Sequence, residues 1–137
     1  MILSETEKNY IAGFLEGDGC INAQIIKRSD YKLKFQIRVY IGFYQKTTNH
    51  WFLLWLQKKC RYGFVRKRKD GMSEYIITGP DPVQNILKEM EPVIRLKRPQ
   101  LKLALKIIKE LPKAKDQQTF LRLCESVDRF EQLNYSK

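Results

Sequence analysis

Asp18 is the acidic residue whose neighbours suggest chemistry. It closes the run Ile11-Ala12-Gly13-Phe14-Leu15-Glu16-Gly17-Asp18-Gly19, which ends a predicted helix just before an alternating segment begins. There its carboxylate is carried to the edge of the polar sheet face. The plain alternative is a helix C-terminus capped by Gly17 or Gly19, and spacing alone leaves both readings open. Gly13 and Gly17 stand four apart on one helical face, with Ala12 beside them. Missing side chains there let another backbone approach closely.

The elements that must position Asp18 are legible as patterns. Ser4 followed by Glu7 is a capping box for a helix over about 5–17. Two segments, 20–28 and 34–45, then alternate with a period of two, as strands with one buried face do. Ile21, Ala23 and Ile25 point one way, while Asn22, Gln24, Ile26 and Arg28 point the other. Likewise Phe35, Ile37, Val39, Ile41 and Phe43 alternate with Lys34, Gln36, Arg38, Tyr40 and Tyr44. The second set is polar, aromatic and basic. A helix carrying Trp51, Phe52, Trp55 and Leu56 follows, with Thr47 or Thr48 as its predicted cap. Strands over about 62–68 and 73–78 flank the turn signal Asp70-Gly71.

Asp81-Pro82 predicts the next helix start, with Asp81 as cap and the stripe Val83, Ile86, Leu87 and Met90. Pro99 and Pro112 bound another helix, and Phe120, Leu123, Cys124, Val127 and Phe130 mark a last one. The order reads αββαββα with helices appended, an α+β domain spanning 1–137. Lys102, Lys106, Lys109 and Lys113 share one helical face, which reads as solvated surface or, as the alternative, as a phosphate contact.

Charge narrows the partner. Lys and Arg number 26 against 15 Asp and Glu, a formal net charge of +11. Such an excess draws polyanions, either nucleic acid or an anionic membrane. No apolar run approaches the ~20 residues of a membrane span, and no amino-terminal stretch resembles a signal peptide, so nucleic acid is the expected polyanion. Cys20, Cys60 and Cys124 lie far apart without a CxxC pair, and His50 is the single histidine. That composition argues against structural zinc and suits a reducing compartment.

The run at 11–19 and the order of elements resemble the LAGLIDADG homing endonucleases of the single-motif, homodimeric type. The likeness extends through Ala23-Gln24, Gln45-Lys46-Thr47, Trp51-Phe52-Leu53, Gly63, Val65-Arg66, Tyr75-Ile76, Leu96-Lys97, Gln100 and Leu105-Lys106-Ile107-Ile108. It covers about residue 10 to residue 134.

The resemblance implies the αββαββα fold of that family, with a saddle-shaped antiparallel sheet and additional C-terminal helices. It implies a homodimer that hydrolyses both strands of a long pseudo-palindromic double-stranded DNA site, with no small-molecule substrate and no membrane partner. Two copies would pair through Ala12, Gly13 and Gly17. Asp18 and the carbonyl of Gly17 would hold Mg2+ or Mn2+, and Gln45 and Lys97 would order waters as catalytic residues. Organelle residence, in a chloroplast or mitochondrion, is implied in the same way. Asn49 departs from the family pattern, which carries a basic residue there. An amide cannot neutralise charge, so either His50 or another cation substitutes, or cleavage is weakened.

On that reading the polar strand face carries the base contacts. Arg pairs with guanine, and Gln and Asn pair with adenine, in a major groove. Asn22, Gln24, Arg28, Gln36, Arg38, Arg66 and Arg68 are the candidates, with Lys34 on the same alternation. Ile26, Tyr40, Tyr44 and Ile76 offer apolar contacts to thymine methyls, and Glu74 either accepts from cytosine or orients Arg66 and Arg68. Asp30, Tyr31 and Lys32 lie on the loop toward the outer base pairs, and Gly42 offers no side chain. Two other functions share these features: an RNA-binding intron maturase, and a DNA-binding protein that has lost cleavage.

Overall fold

The computed structural model describes residues 3–135. The elements run α1 (Glu5–Asp18), β1 (Gly19–Lys27), β2 (Phe35–Lys46), α2 (His50–Cys60), β3 (Phe64–Lys67), β4 (Met72–Thr78), α3 (Pro80–Met90), α4 (Arg98–Glu110) and α5 (Gln117–Tyr135). This is the αββαββα order, with two helices added at the C-terminal end.

Helix α1 begins where the capping box predicts. The Glu7 amide donates to Ser4 Oγ, and the Ser4 amide donates to Glu7 Oε1, each at 3.1 Å. Ile11, Ala12 and Leu15 bury one side of the helix. Gly19 is extended, and its amide closes the last turn on the Leu15 carbonyl. Asp18 is therefore the final helical residue.

The strands form one antiparallel sheet in the order β1-β2-β4-β3. Its register sets Asn22 opposite Tyr40, Gln24 opposite Arg38 and Ile26 opposite Gln36. Tyr44 stands opposite Glu74, which in turn stands opposite Arg66. Strand alternation then places all of these on one face. The other face supplies Ile21, Ala23, Ile37, Val39, Ile41, Phe43, Tyr75 and Ile77 to a core shared with all five helices. The helices thus cover one face and leave the polar face open.

Several expectations are corrected. Ile25 and Phe35 follow the core alternation but stay 39% and 42% exposed, because they lie toward the outer end of the β1–β2 pair. Helix α3 starts at Pro80 behind Gly79, so Asp81 sits inside its first turn and caps nothing. A 3-10 turn, Thr47–Asn49, precedes α2, and neither threonine caps that helix. Thr47 Oγ1 instead accepts from Ser73 Oγ at 3.2 Å. Trp51 points to solvent at 66% exposure.

Gly63 makes the β3 entry possible. Its φ is +83°, and a Cβ there would stand 2.2 Å from the Ile76 carbonyl oxygen. Left-handed backbone and a clash with main chain are both avoided only by glycine. Gly63→Ala is expected to destabilise the protein by about 1–3 kcal/mol. A urea titration checks this, and an unchanged midpoint would show that the turn re-forms without glycine.

Candidate active site and nucleic-acid interface

Asp18 emerges at the junction of α1 and the sheet with its side chain exposed. It forms no ion pair among the described residues. Gln45, near the end of β2, donates from Nε2 to Asp18 Oδ2 at 3.3 Å. Asn49, in the 3-10 turn beyond it, donates from Nδ2 to Gln45 Oε1 at 3.1 Å. The direction of this relay is forced. A carboxylate only accepts, so Gln45 must turn its NH2 toward Asp18, which leaves its oxygen for a donor at position 49.

Lys97 comes from the other side. Glu16, two residues before Asp18, accepts from the amides of Arg95 and Lys97, the latter at 2.8 Å. This pins the loop before α4 to the end of α1. The Lys97 charge acts on the Cys20 thiol, which burial nevertheless holds above its ordinary pKa. Asp18, Gln45 and Asn49 therefore form one hydrogen-bonded chain, and Glu16 ties the Lys97 main chain to the same helix end. His50 does not join them. Its Nδ1 is tied to Ser73 Oγ at 2.8 Å, so it does not replace the missing cation at position 49.

The donor set suits a hard cation but is incomplete in one chain. Asp18 offers exposed oxygen without a competing cation, yet no group of three or more His, Cys, Asp or Glu is assembled among the described residues. A second carboxylate, phosphate oxygens or waters would complete any coordination shell, since such ions take about six ligands.

The open sheet face is ordered by its own polar contacts. Asn22 Nδ2 donates to the Tyr40 hydroxyl at 3.3 Å, and Arg28 Nη1 donates to Gln36 Oε1 at 3.1 Å. Arg38 lies over the Tyr40 ring, and Arg28 lies over Tyr31. Arg28 also pairs with Asp30, which holds the Asp30 carboxyl below its usual range. Gln24 and Lys32 are exposed, and Ile26 is half-buried on the same side.

For Glu74 the structure favours one of two expected roles, and three other candidates stand differently from expectation. Glu74 is 9% exposed and ion-pairs with Arg66 at 3.0 Å and Arg68 at 3.8 Å, so it orients the arginines and has little surface for cytosine. Ile76 is 5% exposed, with Gly42 and Phe64 as its cross-strand partners, which removes it as a base contact. Lys34 precedes β2 with φ +68°, and its Nζ folds back to the Ser29 carbonyl. Ala12 is 2% exposed inside the chain's own core, so it cannot face a partner copy.

Phe64, 42% exposed, is a further candidate that sequence reasoning passed over. Its alternation with Arg66 was the available signal. Tyr44 covers the gap at Gly42: a Cβ on Gly42 would fall 2.4 Å from the Tyr44 hydroxyl.

A family model described as LAGLIDADG endonuclease matches residues 11–95. The chain belongs to the LAGLIDADG endonuclease family. Its relatives include the DNA endonuclease I-CvuI of Chlorella vulgaris, 51% identical over 78% of this chain and 66% of that protein. The DNA endonuclease I-CreI of Chlamydomonas reinhardtii is 42% identical over 93% of this chain and 78% of its own length. A crystal structure of I-CvuI with I-CreI target DNA and 2 mM Mg, in which the DNA is not cleaved, superposes with a TM-score of 0.91. That pair is 44% identical and covers 97% of this chain and 85% of the other.

Within the LAGLIDADG frame, Asn49 reads as the group that orients Gln45. Asn49→Asp can only accept, so Gln45 would have to reverse its amide and present oxygen to Asp18. The variant is expected to cut DNA about tenfold more slowly, the worth of one charge-assisted hydrogen bond. Equal cutting rates under matched conditions would separate Asn49 from the Asp18 pair.

Proposed function

We propose that this LAGLIDADG chain pairs with a second copy, reads a long pseudo-palindromic DNA site through its two open sheet faces, and hydrolyses both strands with a divalent metal. The observation that carries this is the position of Asp18. One exposed carboxylate stands where the open helix face meets the open sheet face.

Pairing through α1 completes the half-built donor set. Gly13 and Gly17 are exposed, and a Cβ at either would meet nothing within 4 Å of its own chain. Around them lie Tyr10 at 55%, Trp51 at 66% and Leu96 at 76% exposure. Tyr10 stacks edge-on with Phe52 and Trp55, and Leu96 rides the loop that Glu16 holds. Apolar surface of this extent around glycines suits a close helix–helix contact. Two Asp18 side chains would then meet near a two-fold axis.

Asp18 and the Gly17 carbonyl are the groups that would hold Mg2+, or Mn2+ as an equally hard ion. When bound, the ion supplies charge that stabilises the attacking and leaving oxygens. Gln45, with its NH2 held toward Asp18 by Asn49, would orient the water that attacks phosphorus as the bond to a sugar oxygen breaks. Lys97 adds positive charge beside the departing oxygen. The nine residues of β1 span about 30 Å, near one helical turn of DNA, so a dimer reads about two turns. An organelle is the proposed setting, supported by relatives from Chlorella vulgaris and Chlamydomonas reinhardtii.

Selection of cleaved sites from a randomised duplex library with Mg2+ tests this reading, and a pseudo-palindrome of about two turns is the expected product. Asp18→Asn should bind the selected duplex and leave it intact, whereas unchanged cutting would remove Asp18 from the chemistry. Gly13→Leu should raise the dimer dissociation constant by at least about a hundredfold, through side-chain intrusion worth roughly 3 kcal/mol. A variant that sediments as the wild-type dimer would move the interface elsewhere.

A further inference from the structure

Helices α4 and α5 carry a second basic surface. Lys102, Lys106 and Lys109 on α4, Lys113 beyond it and Arg129 on α5 are all exposed. None forms an ion pair among the described residues. The opposite side of α4, with Leu101, Ala104, Ile107 and Ile108, is buried in the core beneath the sheet. Helical spacing therefore turns the lysines away from the core and away from the reading face.

Between the two helices runs an open groove of about 390 Å³, with Lys102, Lys106 and Arg129 as its charged lining. No acid lines it. The acids Asp128 and Glu131 lie instead along β1, in a separate hollow with Asn22 and Ile25. Glu110 and Glu125, elsewhere on these helices, enter no ion pair among the described residues. Three cations converge on one groove while their neutralising partners are sorted to another side.

We infer that the α4–α5 groove holds the phosphate backbone of a second DNA duplex, bound without sequence preference, while the sheet reads the first. Among the described residues no Phe, Tyr or Trp lines the groove, so they offer unpaired bases nothing to stack upon. Lys102 and Lys106 are one turn apart, about 6 Å along the axis, and form a straight ridge suited to a backbone edge. The duplex read by the sheet cannot reach this groove, because the helical layer stands between them. A protein with both surfaces bridges two DNA segments, which speeds transfer between distant sites. Only the choice of DNA as the polyanion rests on the nuclease reading above.

The test compares wild type with Lys102→Gln, Lys106→Gln and Arg129→Gln combined. Each protein is first saturated with a duplex selected for binding, not for cleavage, from the same randomised library. A labelled duplex of random sequence, about 40 base pairs or four turns long, is then titrated in at several salt concentrations. Wild type should capture the second duplex, and the triple variant should capture it at least about tenfold more weakly. Its salt slope should be flatter by about 0.9 for each phosphate that is no longer neutralised. Cleavage of the selected duplex should remain within about twofold.

Equal capture by both proteins would overturn the inference, as would a parallel loss of cleavage, which would assign these cations to the first duplex. Preferential capture of an RNA duplex or of anionic vesicles would overturn the choice of DNA. Failure of the wild type to cut any selected duplex, with capture intact, would instead sink the nuclease reading and leave the basic groove standing.

Discussion

The antiparallel register of β1 on β2 is the constraint on which the rest depends. Gly19 opposite Phe43 and Ile21 opposite Ile41 send every odd-numbered side chain of the pair toward the helices. A slip of one residue would turn Asn22, Gln24, Arg38 and Tyr40 into the core and expose its isoleucines. The cost of burying those polar groups unpaired makes the slipped state unfavourable by many kcal/mol. The same register delivers β1 directly from Asp18 and carries β2 to Gln45, so the open polar face and the Asp18–Gln45 corner are set by one act of pairing.

Polarity in the corner is sorted by what each group can donate or accept. Glu16 uses its carboxylate on two main-chain amides and so fixes Lys97. Asp18 keeps its oxygens outward, touched only lightly by Gln45. Glu74 is kept for Arg66 and Arg68 on the sheet. Three acids along the open side thus take three different tasks, according to which donors reach them.

The two faces of α1 show a similar division. Ile11, Ala12 and Leu15 anchor the helix in its own core, while Gly13 and Gly17, a fraction of a turn away, leave the backbone bare. The bare side is the one that the proposed dimer would cover. Exposed Tyr10, Trp51 and Leu96 around it belong to the same surface. In the proposed dimer, pairing and metal chemistry would be coupled, because the second carboxylate arrives with the second helix.

Much of this was determined locally and could be read from residue order. The capping box at Ser4, the alternation in β1 and β2 and the stripes of α3 to α5 each depend on neighbours within a few residues. The motif around Asp18 and the identities of Gln45 and Lys97 were likewise legible, since chemistry attaches to residue type. Tertiary structure alone decided who faces whom. Ala12 and Gly13 are adjacent in sequence, yet one is core and the other open, because the sheet meets α1 on one side only. Ile76 follows the reading alternation but is covered across the strands, and Glu74 is claimed by two arginines that alternation merely put nearby. Local periodicity dictates the direction of a side chain, whereas the packing of distant segments dictates what it meets there.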